Sequence, residues 1–97
     1  MADLLTADEV ETGLAELDGW AGDGSSIMRT VELPSFPAAI AVVDRVAKVA
    51  EEMDHHPDIN IRWRTLTFIC ATHSAGGVTK NDLALAHRID DLVKAAQ

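Results

Sequence analysis

The apolar residues of this 97-residue chain alternate between two spacings, and this alternation restricts the fold more than any other feature. After Thr6, Ser35 and Thr79 they recur every three or four residues, as in an amphipathic helix. Between these segments they recur every second residue, as in a half-buried strand. The predicted order is helix, strand, strand, helix, strand, strand, helix. Strand pairs separated by helices favour an α+β fold, with a four-stranded antiparallel sheet and three helices packed on one face.

The first and last predicted helices both begin with a capping box. Thr6 is followed by Glu9, and Thr79 by Asp82, at the spacing that lets side chain and backbone satisfy each other in the first turn. The first helix is expected to stop before Gly19. Its predicted buried face consists of Val10, Leu14 and Leu17.

The central helix has the longest apolar stripe in the sequence. Ser35 can cap its start. Pro57 disfavours helical backbone at His56, so the helix should end just where the histidines begin. The stripe is formed by Ala39, Val42, Val43, Val46, Val49, Ala50 and Met53.

A change of parity divides the second strand region. From Ile59 to Trp63 the apolar residues take the odd positions, and from Leu66 to Cys70 they take the even positions. Such a flip requires a tight turn or a bulge, which we place near Arg64. The region is therefore predicted to form two short strands.

The first strand pair is less clearly marked in the sequence. Ile27–Leu33 has strand alternation, and we expect it to pair with a short extended segment that begins at Trp20. Trp20 and Trp63 are expected to lie in the core or at an interface.

The balance of charge argues against nucleic acids and membranes as partners. Sixteen acidic residues against eight basic ones give a net charge of −8, so the surface repels phosphate backbones and anionic lipids. No apolar stretch approaches the roughly 20 residues of a membrane helix. The first residues lack the basic region of a signal peptide. We expect a cytoplasmic protein that binds neither nucleic acid nor membrane.

Length and cysteine content limit the organisation further. A chain of 97 residues can bury one core but not two, so residues 1–97 are predicted to form a single domain. Cys70 is the only cysteine, which excludes an internal disulfide and agrees with a reducing compartment. We expect this small apolar side chain to be buried.

Three of the four histidines lie at the predicted ends of elements. His55 and His56 follow the central helix, and His73 is placed at the end of the last strand. Imidazole is suited to proton transfer, because both of its protonation states are populated near neutral pH. Three such groups around one pocket could supply an acid and a base together. His87, inside the last helix, is expected to be a surface or packing residue.

Two other uses of these residues are less favoured but stay open. Three imidazoles and a water can hold catalytic zinc, but the neighbouring side chains of His55 and His56 diverge, so we predict no metal site. Cys70 and His73 could form a nucleophile and base, but strand alternation places them on opposite faces.

The segment from Asp54 to Asp82 reads DHHPDINIRWRTLTFICATHSAGGVTKND. It contains a His-His-Pro turn, a strand aromatic, a Thr-His pair and an aspartate that opens the last helix. These fall on His55, His56, Pro57, Trp63, Thr72, His73 and Asp82. The segment closely resembles the signature of the pterin-4a-carbinolamine dehydratases, and the likeness extends to Gly19-Trp20 and Ile89-Asp90.

This resemblance implies an activity and a role for each residue. Enzymes of this family remove water from 4a-hydroxytetrahydropterin, giving quinonoid dihydropterin, without a metal or a tightly bound cofactor. By similarity, His55 and His73 would form the acid–base pair, and His56 would bind and orient the pterin. The residues that would hold the pterin ring or set the imidazole tautomers are Asp54, Thr72 and Asp82.

A protein-interaction module on the same fold is the alternative function, since relatives of these dehydratases also act as dimerisation or assembly partners. Pairing of an exposed strand edge between subunits would be its physical basis. For the enzyme as well, open sheet edges in so short a chain predict a homodimer or homotetramer.

Overall fold

The structure, a computed structural model, describes residues 3–97. Within this range three α-helices and four strands follow the predicted order, and one turn of 3-10 helix precedes the last α-helix. The elements are α1 (Ala7–Ala15), β1 (Ala21–Gly22), β2 (Ile27–Glu32), α2 (Phe36–Met53), β3 (Asp58–Arg62), β4 (Thr65–Cys70), the 3-10 turn (His73–Ala75) and α3 (Lys80–Ala96). The predicted α+β fold is confirmed.

The strands of the described range form one antiparallel sheet in the order β1-β2-β4-β3. Phe68 in β4 lies opposite Arg29 in β2 and Ile59 in β3. Because directly opposed residues point to the same face, the apolar positions of these strands share one side of the sheet. Ile27, Leu66 and Phe68 are fully buried there. The core that covers this side includes residues of all three helices, as predicted.

The parity change falls at a two-residue turn between β3 and β4. Arg62 pairs with Thr65, so Trp63 and Arg64 alone connect the strands. Trp63 has a left-handed backbone (φ 54°), as the first central residue of such a hairpin turn commonly does. Its side chain is 69% exposed and lies against the Arg64 guanidinium, 4.7 Å from the ring centroid. Trp63 therefore lies outside the core of this chain, whereas Trp20 is buried.

The first helix is shorter than the sequence indicates. It ends at Ala15, because the N–H groups of Glu16 and Leu17 bond to carbonyls three residues back and tighten the last turn. Leu17 is buried all the same, beyond the helix, while Leu14 is only partly buried. The extended segment expected at Trp20 begins one residue later, and β1 contains just two residues.

The central helix begins and ends as predicted. The Ser35 hydroxyl accepts a hydrogen bond from the Ala38 N–H, and the helix stops at Met53, two residues before the histidine pair. Its buried stripe packs against α3 and the sheet. None of the helices in residues 3–97 has the length and apolar composition needed to cross a bilayer.

A partly buried aspartate joins α3 to the first strand pair. The Asp90 carboxylate accepts hydrogen bonds from the Trp20 indole N–H at 2.7 Å and from the Arg29 guanidinium at 2.6 Å. The side chains of Arg29 and Asp90 are 18% and 13% exposed, so water competes weakly for this ion pair. Asp90 thereby holds the chain before β1 against the last helix.

We expect Asp90→Ala to lower the free energy of unfolding by about 2–3 kcal/mol, because it leaves the indole N–H and the guanidinium without their acceptor. Asp91→Ala, at the exposed neighbouring position, is the matched control and should change stability by about 0.5 kcal/mol or less. Urea denaturation of both variants measures the difference, and equal losses would contradict the role of Asp90.

Candidate active site

The site begins at a sharp turn that ends α2. Asp54 adopts left-handed backbone (φ 50°, ψ 44°), which aspartate tolerates better than most residues. The N–H of Asp54 bonds to the Glu51 carbonyl and that of His55 to the Ala50 carbonyl, which is the pattern of a Schellman motif. Pro57 then directs the chain into β3. Asp54 itself is exposed, and its structural contribution is this backbone turn.

The turn places the His55 ring against a buried carboxylate at the start of α3. The Nε2 atom of His55 lies 2.6 Å from Oδ1 of Asp82. The other oxygen, Oδ2, accepts hydrogen bonds from the Thr72 hydroxyl and the Thr79 backbone N–H, both at 2.8 Å. Asp82 is 0% exposed and Thr72 is 8% exposed. Three separate segments of the chain therefore converge on one carboxylate.

Both capping boxes form, but they differ in what surrounds them. In α1 the Thr6 and Glu9 side chains cap the helix in an exposed position. In α3 the Asp82 side chain caps the helix while it is fully buried and also bonded to His55. Capping alone does not require burial, so Asp82 combines the capping role with a second role toward the histidine.

The partners of Asp82 determine which nitrogen of His55 is available for chemistry. An ionised carboxylate can only accept hydrogen bonds, so the proton of the neutral imidazole belongs on Nε2. No described residue hydrogen bonds to Nδ1, and 11% of the His55 side chain is exposed. A histidine held at one nitrogen by a carboxylate, with the other nitrogen accessible, is suited to take up and release a proton.

His73 lies on a loop and not at the end of a strand. The last strand ends at Cys70, and His73 starts the 3-10 turn that follows. Thr72 bonds through its N–H to the Gly77 carbonyl at 2.8 Å, which closes the loop. The strand ends early because Thr72 turns back to pair with Gly77. His73 is exposed on this loop, next to the Thr72 that contacts Asp82.

His56 points to a different partner from that of His55. Its Nε2 forms a hydrogen bond with the Glu51 carboxylate, one turn earlier in the sequence. Both side chains are largely exposed, at 56% and 77%, so this hydrogen bond contributes little stability. Glu51 was not among the predicted site residues. The contact between Glu51 and His56 depends on the left-handed backbone of Asp54, which no local sequence pattern reveals.

Hydrogen bonds thus connect three of the predicted site residues, His55, Thr72 and Asp82. Among residues 3–97, the side chains of His56, His73 and Asp54 make no hydrogen bond to these three. They lie on exposed positions of the two loops that carry His55 and Thr72.

The two alternative uses of the histidines find no support in the geometry. In the described part of the chain, no three His, Cys, Asp or Glu side chains are grouped so that they could hold a metal ion. Cys70 is fully buried, as predicted. Its burial, with the charges of Asp82 and Asp58, raises the pKa of the Cys70 thiol to about 12, so the thiol stays protonated near neutral pH.

Comparison with known proteins gives a consistent picture. Residues 3–92 match the family model described as pterin 4 alpha carbinolamine dehydratase. A protein of Nocardia farcinica, provisionally named a pterin-4-alpha-carbinolamine dehydratase, is 54% identical over 92 residues, which cover 95% of this chain and 97% of its own length.

Two solved structures resemble this fold. The crystal structure of a transcriptional coactivator/pterin dehydratase from Brucella melitensis has a TM-score of 0.90 and 30% identity, and the match covers 94% of this chain and 99% of that one. A pterin dehydratase-like protein described as a RuBisCO assembly factor in the alpha-carboxysome has a TM-score of 0.63 and 23% identity, covering 76% and 86%. At that identity the second likeness shows the fold alone.

Asp82→Asn should lower the free energy of unfolding by about 2–3 kcal/mol. The new amide N–H₂ is a donor, and it would replace a buried oxygen that accepts hydrogen bonds, so donors would face each other without an acceptor. Glu9→Gln makes the same chemical change in the exposed capping box of α1 and should cost about 0.5 kcal/mol or less. Thermal or urea unfolding compares the two, and similar losses would show that burial of Asp82 adds nothing to its cap.

Proposed function

Since this chain belongs to the pterin-4-alpha-carbinolamine dehydratase family, we propose that it is an enzyme that converts 4a-hydroxytetrahydropterin to quinonoid dihydropterin and water. The family match over residues 3–92 and the 54% identity to the Nocardia farcinica protein support this reaction. The single observation that carries the chemical part is the buried Asp82 carboxylate bonded to His55. A cytoplasmic location stays a prediction.

The reaction needs two proton transfers. A proton must reach the departing 4a-hydroxyl, and another must leave the ring nitrogen, so an acid and a base have to act on one substrate. We assign these transfers to His55 and His73. His55 acts through Nδ1, while Asp82 orients the ring and stabilises its protonated form. His73, exposed on the loop after β4, can approach the substrate without displacing core residues.

The other site residues bind or orient. His56 and Asp54 are exposed at the end of α2 and are proposed to contact the pterin, with Glu51 orienting the His56 ring. Thr72 and Asp82 are buried and already hydrogen bonded to each other. We therefore propose that these two act through His55 and that they do not contact the pterin ring.

The competing hypothesis is an assembly module on the same fold. The likeness to the alpha-carboxysome protein shows that the two chains share a fold, and that fold does not distinguish a module from an enzyme. The His55–Asp82 pair favours the enzyme, because docking another protein does not require a carboxylate buried beneath an imidazole.

An assay with synthetic 4a-carbinolamine, following the quinonoid product by absorbance, tests the dehydratase directly. His55→Ala and His73→Ala should each lower turnover by about 10² to 10⁴-fold, because each removes a proton-transfer group. His87→Ala, at an exposed position of α3, is the matched control and should retain wild-type turnover. Full turnover in either site variant would remove that histidine from the mechanism, and an inactive wild type would favour the assembly module.

The enzyme is also proposed to be a homo-oligomer. Strands β1 and β3 lie at the edges of the sheet, and β3 carries Ile61, which is 43% exposed. An open strand edge with apolar side chains is stabilised by pairing with another chain.

Light scattering should give the mass of a dimer or tetramer at micromolar concentration, because association covers these edges. Replacing the exposed Ile61 with Lys should weaken that association, whereas Thr12→Lys on the exposed side of α1 should leave the mass unchanged. A wild-type monomer at this concentration would contradict the proposal.

A further inference from the structure

Building on the proposed function, we propose that Thr79 is a positioning residue for His55. Thr79 makes no hydrogen bond to His55 and was expected only to cap α3. Its hydroxyl lies 2.8 Å from the Thr72 hydroxyl, and Thr79 is 0% exposed. The proposal is that Thr79 fixes the direction of the Thr72 hydroxyl, which in turn fixes Asp82 and the tautomer of His55.

The number of available protons gives this chain of hydrogen bonds a single direction. As a carboxylate, Asp82 can only accept, so the one proton of the Thr72 hydroxyl is donated to Oδ2. Thr72 then has no proton left for Thr79, and the bond between the two hydroxyls must be donated by Thr79. Thr79 therefore donates to Thr72, and Thr72 donates to Oδ2 of Asp82. His55 donates to the other oxygen, Oδ1.

The capping bond of Thr79 agrees with this order. The Thr79 oxygen accepts from the Asn81 N–H at 3.3 Å, which is long, whereas its contact with Thr72 is 2.8 Å. The shorter of these two contacts is therefore directed at the site. Thr6, the equivalent residue of α1, makes an exposed cap with Glu9 and has no second hydroxyl partner among residues 3–97.

Burial makes the arrangement sensitive to the loss of one hydroxyl. Thr79 and Asp82 are 0% exposed and Thr72 is 8% exposed, so water has little access to replace a missing partner. Without the Thr79 hydroxyl, the Thr72 oxygen loses a donor, so the Thr72 side chain is held less firmly and its hydrogen bond to Asp82 weakens. An Asp82 carboxylate that is held less firmly can turn away from Nε2 of His55, and the reactive Nδ1 is then no longer kept in one state.

Thr79→Val and Thr79→Ser separate the hydroxyl from the shape of the side chain. Nitrogen-15 NMR of the His55 ring reports its tautomer, and the carbinolamine assay gives kcat and KM across pH. For Thr79→Val we expect a mixture of His55 tautomers, a kcat lowered about 10-fold, a shifted kcat–pH profile and an unchanged KM. Thr79→Ser should restore the wild-type tautomer and most of kcat.

Thr6→Val is the matched control, since it removes the cap hydroxyl of α1 and leaves the site untouched. It should lower stability by about 1 kcal/mol, as loss of a cap does, with the His55 spectrum and kcat unchanged. If Thr79→Val does not fold, Thr79→Ala, which also lacks the hydroxyl and cannot clash, provides the same comparison.

Two further outcomes distinguish this proposal from the dehydratase itself. A folded Thr79→Val protein with the wild-type His55 tautomer and kcat–pH profile would overturn the positioning role, even if the wild type is an active dehydratase. A shifted tautomer in Thr79→Val beside an inactive wild type would support positioning of His55 by Thr79 and reject the proposed reaction.

Discussion

A carboxylate that is completely removed from water needs hydrogen-bond donors on both of its oxygens, and meeting that need at Asp82 determines how the site is built. The three donors to Asp82 come from the loop that ends α2, the loop that follows β4 and the first turn of α3. If any of these segments moved away, the buried carboxylate would lose one of its three donors. The loops that carry His55 and His73 are therefore held by the same interaction that caps α3.

The scaffold beneath Asp82 explains why these loops meet. Antiparallel pairing places Cys70, the last residue of β4, opposite Ile27, the first residue of β2. Asp58, the first residue of β3, lies opposite Ile69, the neighbour of Cys70. The chain that enters β3 and the chain that leaves β4 consequently lie at the same end of the sheet. Since α2 ends directly before β3 and α3 begins shortly after β4, the His55 turn and the Asp82 cap are close as a result of the topology.

Features that depend on local sequence were predictable, and those that depend on tertiary contacts were not. The capping boxes, the end of α2 before Pro57 and the turn near Arg64 each follow from a few neighbouring residues, and the structure shows all of them. The early end of β4 depends on the pairing of Thr72 with Gly77. The contact between Glu51 and His56 depends on the left-handed backbone of Asp54. Neither the pairing of Thr72 with Gly77 nor the left-handed backbone of Asp54 produces a periodic pattern of apolar residues.

The polar cluster of His55, Thr72, Thr79 and Asp82 is difficult to explain as a stabilising device. Burying a charge costs free energy that its hydrogen bonds offset only in part, and apolar residues of similar volume often stabilise a core as well or better. The helix could be capped without burial, as the exposed Thr6 and Glu9 pair of α1 demonstrates. A fold that needed only stability would gain nothing from a carboxylate bonded to an imidazole at this position. We propose that the cluster serves His55 instead, by holding one ring nitrogen and leaving the other to exchange a proton.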